Sequence, residues 1–87
     1  MKLYQVTLNS IDSVKKFVDA TTALRCDIDV LSGRYVVDGK SIMALFSIDL
    51  NRPVTVRVHD DEEGELFQKN ASAFLTVEEV REDPEKA

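Results

Sequence analysis

The segment DGKSIMALFSIDL, residues 38–50, joins a Gly-Lys-Ser sequence to an apolar run, and either part could carry function. Gly39, Lys40 and Ser41 match the end of a phosphate-binding P-loop, in which backbone amides surround the phosphates while Lys and Ser contact phosphate and magnesium. That motif requires its first glycine at position 34, where this chain has Arg34, and Gly33 is one residue off. The spacing therefore argues against a nucleotide-binding loop.

Ser41 suggests a second possibility, because it stands where a short helix would begin. A phosphate attached there would be stabilised by the free amides of the first turn and could form a contact with an Arg-rich partner. The simpler interpretation is that Ser41 only caps the helix, while the following apolar residues supply core or a hydrophobic patch. Both interpretations remain open. The apolar residues are Ile42, Met43, Leu45 and Phe46.

Two further side chains could accept a phosphoryl group. For Asp12 this chemistry needs a nearby Lys and acids that hold magnesium, and no such spacing surrounds it. His59 is the single histidine, and it ends an extended segment beside the acidic run 60–63. We interpret Asp12 as a first-turn helix acid and His59 as an exposed residue at a strand end.

No metal, cofactor or catalytic residue is expected. The acidic residues lack the spacing of an EF-hand loop, and such runs usually form solvated faces or helix starts. Cys26 is the single cysteine, so neither an internal disulfide nor a cysteine-rich metal site can form. The acids considered are Asp27, Asp29, Asp60, Asp61, Glu62 and Glu63.

Size and charge restrict the partners of the protein. The chain has 87 residues and a formal net charge of -5, which disfavours nucleic acid and anionic membranes, because both require clustered Lys and Arg. No apolar run approaches the roughly 20 residues that span a bilayer. We therefore expect a cytoplasmic, non-enzymatic protein whose partners are other proteins.

The periodicity of apolar residues predicts an α+β fold of order β-α-β-β-α-β-α, with an antiparallel or mixed sheet covered by helices on one side. One domain is expected over residues 1–76, followed by a charged tail over 77–87 that frays. The predicted inward strand positions are Tyr4, Val6, Leu8, Cys26, Ile28, Val30, Val54, Val56 and Val58. The predicted helix stripes are Ile11, Val14, Phe17, Val18 and Leu24, then Ile42, Leu45 and Phe46, then Leu66, Phe67, Ala71 and Phe74.

This element order, together with GKSIMALFSIDL at the second helix, resembles the HPr family, the histidine-containing phosphocarrier proteins of the bacterial sugar phosphotransferase system. The similarity extends over nearly the whole chain, and residues 40–43 reproduce the Lys-Ser-Ile-Met helix start of HPr from Gram-positive bacteria. The resemblance implies an open-faced β-sandwich, in which a four-stranded antiparallel sheet carries three helices on one face.

The family's carrier chemistry requires a histidine at the start of the first helix, within a motif of the type Gly-Leu-His-Ala-Arg-Pro-Ala. There the helix dipole and the Arg stabilise the phosphorylated imidazole. The corresponding stretch here is LNSIDSVKKF, in which Asp12 falls at or near the histidine position and the Arg and Pro are missing. The resemblance therefore implies an HPr-like protein without the carrier histidine, a non-catalytic regulatory or protein-binding module that acts through the surface around the second helix.

The same resemblance makes Ser41 the candidate for regulatory phosphorylation, since a dedicated kinase modifies the matching serine of Gram-positive HPr and the product acts as a corepressor partner. It also implies phosphotransferase-system or regulatory proteins as partners. Two alternatives remain: an active phosphocarrier in phosphoenolpyruvate-dependent sugar transport that uses an unorthodox residue such as His59, or a structural domain without phosphate chemistry. The candidate partner-binding residues are Lys40, Ile42, Met43 and Phe46.

Overall fold

The computed structural model of the protein describes residues 1–81. They form an α+β fold with three helices and a five-stranded antiparallel sheet. None of the helices in this range is long and apolar enough to cross a membrane. In chain order the elements are β1 (Lys2–Val6), α1 (Ile11–Thr22), β2 (Ile28–Ser32), β3 (Tyr35–Asp38), α2 (Ile42–Leu45), β4 (Val54–Val58), α3 (Asp61–Ala71) and β5 (Val77–Val80).

The sheet has the strand order β3-β2-β4-β1-β5, and every neighbouring pair is antiparallel. On one face Tyr4 lies opposite Val56, and both side chains are fully buried. The three helices cover this face, because their buried side chains join those of the strands in one hydrophobic core. On the other face, which we call the open face, Asp29 lies opposite Arg57. The alternation along the strands thus separates an apolar face from a largely polar one.

A fifth strand is the main correction to the predicted architecture, which had four strands. β5 pairs with β1 in a register that places Val77 opposite Val6 and Val80 opposite Leu3. The short Val-Glu-Glu-Val sequence has too little apolar character to stand out from a charged tail, but it supplies backbone groups that complete the edge of β1. The folded region therefore extends past the expected boundary at residue 76. The rest of the expected tail, residues 82–87, lies outside the described residues.

Three aromatic rings from three elements stand at the centre of the core. The ring centroid of Phe67 lies 5.4 Å from that of Tyr4 and 5.7 Å from that of Phe17, in tilted and edge-to-face arrangements that aromatic pairs prefer. Burial raises the pKa of the Tyr4 hydroxyl to about 12. The predicted inward strand positions are confirmed as buried except for Cys26, which is half-buried.

Four apolar helix positions that the periodicity assigns to the core are instead exposed. They are Ile11, Phe46, Leu66 and Phe74. Three of them stand at or beyond a helix end: Ile11 is the first residue of α1, Phe46 is the C-cap of α2, and Phe74 follows α3. A helix end projects past the sheet it covers, so the helical period alone overestimates what a small domain can bury.

Candidate functional site

The start of α1, where the sequence resemblance predicts the carrier position, is capped by two serines of its own first turn. Ser13 N donates a 3.0 Å hydrogen bond to Ser10 Oγ, and Ser10 N donates one of 3.0 Å to Ser13 Oγ. This reciprocal capping box satisfies amides that a bound phosphoryl group would otherwise use. Asp12 is exposed in the first turn, where its charge stabilises the positive end of the helix.

Ser41 is the N-cap of α2, as predicted, and its Oγ accepts a 3.2 Å hydrogen bond from Ala44 N. The helix itself spans only Ile42–Leu45, a single turn. Its entry is fixed by Lys40, whose Nζ donates a 2.8 Å hydrogen bond to the carbonyl oxygen of Leu24 just after α1. α2 is therefore a single capped turn tied to the end of α1.

The start of α1 and the end of α2 border one shallow cleft of about 240 Å³. Ile11 contributes from α1 and Phe46 from α2, and their side chains are 65% and 48% exposed. Met43 on α2 is 80% exposed. We call these three residues and the cleft the α1–α2 surface. The other residues that line the cleft are Leu8, Asn9, Ser10, Leu50 and Asn51, so its polar members carry no charge.

The four predicted partner-binding residues have different roles in the structure. Met43 and Phe46 are exposed on the α1–α2 surface. Ile42 is partly buried and packs against the core, and the Lys40 ammonium is hydrogen-bonded to Leu24, so these two side chains serve the fold. Ile11 is an exposed member that the sequence reasoning assigned to the core. Its position as the first residue of α1 could have indicated this exposure, because side chains in a helix tilt toward the N-terminus and the first one points past the covered sheet.

Comparison with known proteins gives no relative for the chain. No family model matches it, and neither a curated protein nor a solved structure matches it. The functional assignment therefore depends on the geometry and on the sequence resemblance alone.

His59 lies away from the α1–α2 surface. It follows Val58 at one end of β4, whereas Val54 at the other end pairs with Val6, which leads into α1. His59 Nε2 lies 2.8 Å from Asp29 Oδ2, and Arg57 donates to the same oxygen from Nε at 3.1 Å and Nη2 at 2.9 Å. The single histidine thus belongs to a charged cluster on the open face.

Asp29 is the acid of this cluster, and its surroundings set its protonation. Burial by itself raises the pKa of its carboxyl, but the hydrogen bonds from His59 and Arg57 outweigh burial and hold the pKa below the usual value. Asp60 does not belong to this cluster. Its side chain caps α3, where Oδ1 accepts a 2.9 Å hydrogen bond from Glu63 N. Within residues 1–81, no three His, Cys, Asp or Glu side chains gather closely enough to hold a metal ion.

Proposed function

We propose that the chain is an HPr-like protein without phosphoryl-carrier activity, a non-catalytic regulatory module that binds a protein partner through the α1–α2 surface. One observation carries the proposal: Ile11 and Phe46 are exposed in a common cleft, and they come from the two helices whose starts hold the carrier and regulatory sites in the resembled family. The cleft lies where the resemblance places function, and its chemistry is apolar.

The loss of carrier function is supported by the start of α1. Asp12 stands at or near the histidine position, and the capping box of Ser10 and Ser13 satisfies the backbone amides of these two residues. An imidazole, an arginine and free amides would all be needed to accept and stabilise a phosphoryl group there.

A protein partner fits the α1–α2 surface better than a small ligand does. The cleft is open and shallow, whereas small-molecule sites enclose most of their ligand. The exposed ring of Phe46 lies in a cleft whose polar groups are uncharged, and Met43 is exposed on the same helix. Exposed aromatic and methionine side chains are typical of the centre of a protein interface, from which charged residues are depleted. The partner surface should therefore be apolar and contain few charges.

Ser41 is the proposed point of regulation within this function. Its hydroxyl is half-buried and caps α2, so phosphorylation would replace one weak cap by a charged group beside the exposed Met43. A negative charge at this place would alter the α1–α2 surface without changing the core beneath it.

The carrier question is tested by phosphoryl transfer. The protein is incubated with phosphoenolpyruvate and the phosphoryl-donating enzyme of the sugar phosphotransferase system, and its intact mass is followed, with an authentic HPr as positive control. We expect no added phosphate. A stable adduct that disappears in the His59→Ala variant would establish the phosphocarrier alternative and refute the proposal.

The binding surface is tested with a matched pair of exposed helix variants. Met43→Glu lies on the α1–α2 surface, whereas Leu66→Glu lies on α3 and is similarly tolerant because its side chain is 42% exposed. The probe is the repressor protein that binds phosphorylated HPr in Gram-positive bacteria, titrated with the protein before and after treatment with the HPr serine kinase. We expect Met43→Glu to weaken binding at least about tenfold, because a charge would be desolvated in an apolar contact, and Leu66→Glu to leave binding unchanged.

Three results would count against this assignment. Equal losses for the two variants would mean that the contact does not use the α1–α2 surface. No binding in either state would remove the repressor as partner. No phosphate incorporation by the kinase, or the same incorporation into Ser41→Ala, would remove Ser41 as the point of regulation.

A further inference from the structure

β3 forms one edge of the sheet and is paired on one side only, with β2. The aromatic side chain of Tyr35 is 72% exposed and the apolar side chain of Val36 is 55% exposed. An edge strand with such side chains presents a row of backbone donors and acceptors to another strand. The edge shares no residue with the α1–α2 surface, so the proposal made for it goes beyond the proposed function.

The backbone groups that face outward can be identified from one hydrogen bond. Gly39 N donates to Ile28 O at 2.8 Å, so position 39 is bonded to β2. Because bonded and non-bonded pairs alternate along an antiparallel ladder, Val37 and Tyr35 are also bonded to β2. Within β3, Val36 therefore directs both its N–H and its C=O away from β2. Asp38 also directs its N–H outward, but its carbonyl oxygen accepts a 3.2 Å hydrogen bond from Ser41 N. Arg34 lies in the turn just before β3.

We propose that β3 pairs antiparallel with β3 of a second copy of this chain, about a two-fold axis at Val36, to form a weak homodimer. In this register Val36 lies opposite its own counterpart. Arg34 lies opposite Asp38 of the second copy, and the symmetry repeats the same ion pair on the other side. The segment is thus complementary to itself in charge, and the outward N–H and C=O groups of the two Val36 residues pair with each other.

Other registers lose this complementarity. A shift of one residue would oppose outward backbone groups to inward ones, so the ladder could not form. A shift of two residues in either direction would place Val36 opposite a charged residue and would break both ion pairs. Only pairing centred on Val36 satisfies the backbone and both charges together.

The intrachain surroundings of Asp38 support the second copy as the occupant. In the register of β2 with β3, Asp38 lies directly opposite Asp29, and like charges at directly opposite positions are destabilising. Asp29 forms an ion pair with Arg57 and a hydrogen bond with His59, whereas Asp38 has no ion pair within residues 1–81 and only accepts a 2.9 Å hydrogen bond from Lys40 N at its Oδ1. Arg34 likewise makes no ion pair in this part of the chain. The dimer would give each of these charges the partner that the fold leaves out.

The dimer should be weak, because β3 has only four residues and the added contact is small. We expect a Kd between about 10 µM and 1 mM, measured by sedimentation velocity over that concentration range. The backbone amides of Val36 and Asp38 should shift with concentration in NMR spectra, while those of β5 should not. A protein that stays monomeric at about 1 mM would overturn the proposal and would point to a different protein as the strand partner.

Two charge variants test the register without relying on a single substitution. Arg34→Asp would place acids opposite each other in its homodimer, and Asp38→Lys would place cations opposite each other. Each should weaken self-association at least about tenfold. An equimolar mixture should form a heterodimer as tight as the natural dimer, since both cross-strand pairs are then of opposite charge.

Further variants separate the β3 edge from general effects of charge. Val36→Lys should abolish the dimer because two cations would meet at the axis, whereas Glu78→Lys on the opposite edge should leave it unchanged. Circular dichroism of each variant verifies folding, which is expected since all four positions are exposed. Dimerisation of Val36→Lys at the natural affinity would refute the β3 interface, and failure of the mixed pair to associate would refute the register centred on Val36.

Discussion

The two edges of the sheet differ in how they meet the solvent. At the β5 edge the strand sequence is Val-Glu-Glu-Val, and both Glu78 and Glu79 are exposed. At the β3 edge Tyr35 and Val36 are exposed instead. Edge strands usually carry charges, bulges or proline, which prevent pairing with other chains. The β5 edge carries two adjacent acids, whereas the β3 edge carries exposed aromatic and apolar side chains between Arg34 and Asp38.

The comparison shows that an exposed edge is not simply a consequence of small size. The chain covers the edge of β1 with a short strand rich in acids, and an ion pair of 3.4 Å from Lys2 to Glu79 ties that strand to its neighbour. The same protein leaves an apolar strand uncovered on the other side. We therefore expect substitutions at the two edges to differ in their effect on stability.

The largest effect is expected where the β3 edge meets the core, in Gly39→Ala. A Cβ at this position would lie 2.6 Å from Ile28 Cγ2 and 3.2 Å from Ile28 O, and Ile28 is buried. Thr21 Oγ1 also donates a 2.8 Å hydrogen bond to Gly39 O, so the backbone cannot move freely. We expect the free energy of unfolding to fall by about 2 to 3 kcal/mol, measured by urea denaturation.

Gly64→Ala, in α3 where the helix packs against β1, is the matched control. Its Cβ would meet Lys2 Cβ at 3.0 Å and Tyr4 Oη at 3.2 Å, contacts that small shifts can relieve. Alanine also gains about 1 kcal/mol of helix propensity over glycine within α3. The two terms should leave the unfolding free energy within about 1 kcal/mol of the natural value. If Gly64→Ala lowered the free energy of unfolding as much as Gly39→Ala, the two glycines would not differ in how tightly their surroundings are packed.

Sequence patterns predicted the sheet well where alternation was strong. Tyr4, Val6 and the three valines of β4 alternate with polar residues, and all are buried as expected. β5 was missed because two acids separate its valines, so only the free edge of β1 reveals it as a strand. The α1–α2 surface was predicted in part: Met43 and Phe46 were candidates, but Ile11 has helical spacing from Val14, and nothing in the spacing says where the sheet ends. In both cases, the pairing of β5 and the exposure of Ile11, the outcome depends on tertiary contacts that local sequence patterns do not contain.

A second effect is expected at Asp29→Asn, next to the β3 edge. Because its pKa is lower in the folded state, the Asp29 carboxylate stabilises the fold above its unfolded pKa of about 3.9, and this contribution is lost as the pH falls through the folded value. The variant should lose about 1 kcal/mol of unfolding free energy at pH 7, as its bonds to Arg57 and His59 weaken. The difference in stability between the natural protein and the variant should shrink as the pH falls below about 3.9 and through the lower folded-state pKa.

Urea denaturation at several pH values measures this difference. Asp27→Asn is the control, because Asp27 is exposed and its side chain has no ion pair within residues 1–81. A stability difference between Asp29→Asn and the natural protein that is constant from about pH 7 to pH 2.5 would show that the charge of Asp29 is not its source.

The smallest effect is expected at the protected edge, in Glu79→Gln. The variant loses the exposed ion pair with Lys2, worth about 0.5 kcal/mol in water, and Lys2 retains a second acid because its Nζ lies 3.9 Å from Glu65 Oε1. The loss should be local, so the backbone amides that join β5 to β1 should exchange with solvent about twofold faster while those of β2 and β4 stay unchanged. Glu78→Gln removes a charge from the same strand but no ion pair of the described residues, and it should leave β5 exchange as it is. If both variants accelerate exchange equally, the acids protect the edge through their combined charge, and the ion pair with Lys2 is not what holds β5 against β1.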